Sequence, residues 1–150
     1  MDSTVFVTVI SGVLTYVVGQ LVLKLAIEPV QETRKTVEQI SHSLIEYANV
    51  IANPGVPSEE AIRETSRHLR KLSSQLQSHL YLVPAYAFTA RVFSLPSREN
   101  LLLASKALIG LSNSLNRATD RAYEQNAARV ESICDSLSIY LPEDERISKG

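Results

Sequence analysis

At 150 residues the chain has room for one domain and a short appendage. A formal net charge of −1 gives it no general attraction to nucleic acid or anionic lipid. Its lone cysteine, Cys134, excludes an intramolecular disulfide framework and suits a reducing compartment, and the few Gly and Pro residues argue against a disordered chain.

The first predicted element is an apolar helix over residues 3–23, STVFVTVISGVLTYVVGQLVL, which holds 21 residues and no charge. A helix of that length spans roughly 32 Å, about one bilayer hydrocarbon core. A cleaved signal peptide would open with a basic segment and carry a shorter apolar run; here Met1, Asp2 and Ser3 come first. A core helix apolar on all sides would need protein all round it, which a chain this short does not easily supply. Residues 1–29 are therefore expected to form a single transmembrane anchor. Lys24, Arg34 and Lys35 follow the run and no Lys or Arg precedes it. The positive-inside rule then places the N-terminus outside and the remainder in the cytoplasm, at the plasma membrane (the inner membrane in a bacterium). Thr8, Gly12, Thr15 and Gly19 fall on one helix face, where small residues allow two helices to approach closely. Gln20, beside Gly19, is placed to hydrogen-bond across such a contact. Self-association through this face is the expectation.

Proline fixes its own φ and restricts the residue before it, so Glu28 and Pro29 predict a kink or restart. A helix over 30–52 follows, with Val30, Thr33, Val37, Ile40, Leu44, Tyr47 and Ile51 three and four apart and charged residues opposite. The proline just past the membrane, with Val30, Thr33, Val37 and Ile40 on one face, resembles the first helix of a HAMP linker, a module that relays signals below bacterial transmembrane helices. The resemblance stops at Ile40, because no Gly-Asp turn follows and no acidic-x-Gly element opens a second helix. It implies shared geometry and carries no function across.

A second helix is predicted over 58–83. Ser58 caps it, Glu59 and Glu60 sit at the positive end of its dipole, and Ile62, Ser66, Leu69, Leu72 or Ser73, Leu76, Leu80 and Val83 form its face. Ser97 caps a third over 97–115, with Leu101, Leu102, Ala104, Ser105, Leu108, Ile109, Ser112 and Leu115 as an apolar band. A fourth, over 120–141, carries Tyr123, Ala127, Val130, Cys134, Leu137 and Leu141, with Ile133 beside them. Residues 142–150 read as a polar tail. The expected fold is all-α: a transmembrane helix followed, across 30–141, by an up-down four-helix bundle of two antiparallel hairpins.

If the second helix returns toward the bilayer, the connector 84–96 arrives at headgroup level. With Tyr81 just before it, this stretch brings together Tyr86, Phe88 and Phe93, and Arg91 is its one charge. Two readings stay open. The aromatics plug the end of the bundle, which any soluble bundle requires, or they touch the inner leaflet with Arg91 reaching phosphate.

No grouping for chemistry emerges. His68 and His79 share a helix side but stand about three turns apart, too far to share a metal, and His42 lies on another helix. Nucleotide-binding glycine loops are absent, and the core faces carry no glutamate for a di-iron site. Glu143, Asp144 and Glu145 belong to the tail. Arg63, Arg67, Arg70 and Lys71 form a basic stripe offset by Glu59, Glu60 and Glu64, without the interleaved aromatics of a nucleic-acid surface. No catalytic residue, cofactor, metal or small-molecule substrate is expected. The function expected is a non-catalytic, membrane-anchored interaction or scaffold protein, its partners being the bilayer, a second copy and an unidentified protein. The alternative is a small membrane-acting effector (a toxin, lysis or defence component) that perturbs the bilayer on assembly.

Overall fold

Ser3–Val22 (α1), a π-helical turn at Leu23–Ile27 and Glu28–Glu46 (α2) run on as one 44-residue helix in the computed structural model, which describes residues 3–117 and 120–142. Pro29 does not interrupt it. Proline lacks an N–H, and its ring presses on the carbonyl four residues back. The preceding turn is wound wider, so that the Glu28 N–H donates to the Leu23 carbonyl, five residues back. This bulge absorbs the proline without breaking the helix.

The predicted helix over 30–52 is two pieces. Tyr47, at φ −98° and ψ 14°, separates α2 from α3 (Ala48–Ala52). The backbone ladder bends there without parting, since Tyr47 N–H still reaches the Ser43 carbonyl and Ile51 N–H the Tyr47 carbonyl, both at 3.0 Å. Ser58 caps α4 (Glu59–Leu82) by accepting from the Ala61 N–H at 3.3 Å. Ser97 caps α6 (Arg98–Ser114) in the same way, from Asn100 at 3.1 Å. Between them the predicted connector holds a short helix, α5 (Tyr86–Phe93), bounded by Ala85 and Ser94 in the left-handed region. The last helix, α7 (Asp120–Leu137), ends before the predicted 141. Ser138 turns left-handed at φ 57°, and Ile139 N–H closes on the Cys134 carbonyl at 2.9 Å, a Schellman stop. Thr119, just before the predicted start of this helix, and the tail residues 143–150 lie outside the described residues.

Among the described residues every element is helical. α4 packs against α2 on one side and α6 on the other, α6 packs against α7, and α2 and α3 both reach α7. Hydrogen bonds fix the register: Thr36 meets His79 and Ser43 meets His68 between α2 and α4, while Ser66 meets Ser112 and Ser73 meets Ser105 between α4 and α6. Ile40, Leu69, Leu76, Leu101, Leu108, Leu111, Leu115 and Ile133 are fully buried at the centre. Each such side chain stabilises the fold by about 1.5–3 kcal/mol relative to exposure. α1 adds nothing to this core, as none of its residues is buried.

Candidate functional site

α1 is long and apolar enough to cross a membrane. On its surface a Cβ added at Gly12 or Gly19 would meet nothing within 4 Å. Thr8 and Thr15 lie on the same face. Their hydroxyls donate to the Thr4 and Ser11 carbonyls at 2.9 Å, so these polar groups are satisfied inside the helix. Gln20 is half-buried, between exposed neighbours on either side.

The expected aromatic group is divided by the two faces of α5. Tyr86, Thr89 and Ala90 turn inward. The Tyr86 hydroxyl donates to the Pro96 carbonyl at 2.7 Å, and burial pushes its pKa up to about 12. Thr89 closes the start of the helix by donating to the Pro84 carbonyl at 2.7 Å. Phe88 and Val92, four apart, point outward with 71% and 57% of their surface exposed. Arg91 is exposed beside them, Phe93 is half-buried, and Tyr81 and Leu82 are exposed at the end of α4. Arg34 Nη2 donates to the Phe93 carbonyl at 2.7 Å and holds the end of α5 to the first turns of α2. Leu82 and Val92 were not among the expected contacts, although the i, i+4 spacing of Phe88 and Val92 signals a common face.

His68 and His79 serve helix packing. His79 is 6% exposed and its Nε2 lies 2.8 Å from Thr36 Oγ1. Thr36 already donates to the Glu32 carbonyl, so it accepts from His79 and leaves Nδ1 as a buried lone pair without a partner among the described residues. Burial lowers the His79 pKa, against the smaller opposing pull of Glu32. His68 repeats the arrangement with Ser43 at 2.8 Å, and its ring lies against Tyr47. His42 is exposed, 3.5 Å from Glu46. With Glu38, Gln39 and Lys35 these side chains line a shallow groove of about 390 Å³. No grouping of three metal-binding side chains occurs among the described residues.

The four residues of the basic stripe differ in their partners. Arg63 pairs loosely with Glu59 at 3.7 Å, and Arg70 Nη2 donates to Asn113 Oδ1 at 2.6 Å, tying α4 to α6. Arg67 and Lys71 are exposed. Sequence reasoning missed Asn126, which is fully buried. Its Nδ2 donates to the Ile51 carbonyl at 3.0 Å, and its Oδ1 accepts from Ser114 and from Arg129 at 3.2 Å. Its spacing from Val130, Ile133 and Leu137 marks a core position. Comparison with protein-family models, curated proteins and solved structures gives no match to this chain.

Proposed function

We propose that this chain is a single-pass, membrane-anchored interaction or scaffold protein without catalytic activity. In this reading α1 crosses the bilayer and α2, α4, α6 and α7 form an up-down four-helix bundle on the cytoplasmic side. The observation that carries it is the contrast between the two halves. α1 is apolar and has no buried residue, whereas the core of the remainder closes without it. An apolar helix that packs on nothing in its own chain needs an apolar solvent. The buried hydroxyls, His79 and Asn126 add support, because they spend their hydrogen bonds joining helices: Thr36–His79, Ser73–Ser105 and Asn126–Ile51. Lys24, Arg34 and Lys35 favour the cytoplasmic placement.

Partners in this reading are the bilayer, a second copy through Thr8, Gly12, Thr15 and Gly19, and a cytoplasmic protein. The effector alternative draws less support, since Thr8 and Thr15 satisfy their hydroxyls within α1 and offer little to a water path. The test is alkaline extraction of membranes containing the full chain. The protein stays in the pellet if α1 spans, and orientation follows from protease protection of the C-terminal half. Release into the supernatant would remove the anchor and the function built on it. Dye leakage from vesicles carrying the chain would favour the effector.

A further inference from the structure

We propose that the outward face of α5 is a second membrane contact, with Phe88 and Val92 reaching the outer edge of the lipid headgroups and Arg91 their phosphates. The inference rests on α1 spanning the bilayer, and it commits to lipid as the occupant.

Three observations carry it. The first is position. α4 residue numbers rise as their α2 partners fall, from Ser43–His68 to Thr36–His79, so the end of α4 lies near the first turns of α2. The bond from Arg34 to the Phe93 carbonyl fixes the end of α5 at that level. Counted from Leu23, where the apolar run ends, residues 30–34 stand roughly 10–16 Å further along the helix, and the headgroup zone of one leaflet is about 5–8 Å deep, so the end of α5 is held just outside that zone. The helix is unbroken through the π turn, so this spacing is built in.

The second is orientation. Tyr86, Thr89 and Ala90 are buried, and the Tyr86 and Thr89 hydroxyls are anchored to Pro96 and Pro84 carbonyls. α5 therefore has one face committed to the protein and cannot roll to hide Phe88 and Val92. The third is chemistry. The outward face carries an aromatic, a branched aliphatic and a cation, with no acidic residue anywhere in α5. Exposed Tyr81 and Leu82 lie at the same end of the fold. Aromatic rings favour the interface, and an arginine stem lies along apolar surface while its head reaches anionic oxygen. A water-facing helix end has no use for this combination; a surface already held beside a bilayer does.

The experiment places a nitroxide label at Phe88→Cys in a Cys134→Ser full-length chain, reconstituted in vesicles of phosphatidylcholine and phosphatidylglycerol. Collision with dissolved oxygen and with a water-soluble nickel chelate reports depth. The oxygen-to-nickel ratio at 88 is expected to exceed that at an exposed control, Glu124→Cys on α7, by about threefold or more. A third label, Val13→Cys, reports the span itself. A lipid-like ratio at 13 with a water-like ratio at 88 overturns this contact and leaves the anchor standing. A water-like ratio at 13 overturns both. Spin–spin broadening at 88 that disappears on dilution with unlabelled chain assigns the face to a second copy, and also overturns the proposal.

Discussion

His79 has one ring nitrogen on Thr36 and the other facing no partner among the described residues, and this makes the α2–α4 contact sensitive to acid. Burial holds its pKa below the usual 6.5, so the unfolded chain takes up a proton before the folded chain does. The stability that the neutral ring contributes is complete above that value and is lost as pH falls through the histidine range. The thermal midpoint should drop between about pH 7.5 and 5.5, and drop less in His79→Gln; equal drops would absolve His79. Ser138 holds a left-handed backbone, φ 57°, that disfavours any residue with a Cβ. Ser138→Gly is expected to stabilise by up to about 1 kcal/mol, seen as a midpoint a few degrees higher. Asn126→Ala should act the other way. It strands the Ile51 carbonyl, while the Ser114 hydroxyl keeps the Leu111 carbonyl, at a cost of about 1–3 kcal/mol in urea unfolding.

α4 lies between two neighbours, and that explains how its serines behave. Ser73 is fully buried, bonds to Ser105 Oγ at 2.6 Å and donates to the Ser105 carbonyl at 3.0 Å, which brings α4 and α6 close together. Gln77 adds a donor to Ser105 at 2.7 Å. Ser73→Leu leaves helix propensity intact and overfills this contact, so a loss of about 1–3 kcal/mol is expected with no loss of helicity. The periodicity of α4 leaves Leu72 and Ser73 as equal candidates for the core, and both are buried because one faces each side of a doubly packed helix. α5 was legible only as a cluster of aromatics. Its boundaries are set by left-handed residues, Ala85 and Ser94, that are not glycine and give no composition signal.

At the scale of the whole molecule, α1 and the packed helices are separate in energy though joined by an unbroken helix. Every residue of the principal core cluster comes from position 40 or later. A chain starting at residue 28 should therefore unfold at the same midpoint as the full chain in detergent. A midpoint lower by more than a few degrees would mean that α1 supports the core after all.

The sequence by itself determined the helical class, the α1 apolar run, the Ser58 and Ser97 caps and the inward stripes of α2, α4 and α7, and that of α6 except for Ile109, which is exposed, and Leu111, which is buried in its place. All of these depend on residues within a turn or two of one another, where the 3.6 period and capping chemistry operate. The tertiary structure alone decided which face of α5 turns inward, why Thr36 is buried and what Asn126 holds. Those outcomes depend on partners far along the chain, 43 residues for Thr36 and His79 and 75 for Asn126 and Ile51. A helix's period shows which side it buries but not what waits there, and a buried polar group is stable only once that distant partner arrives.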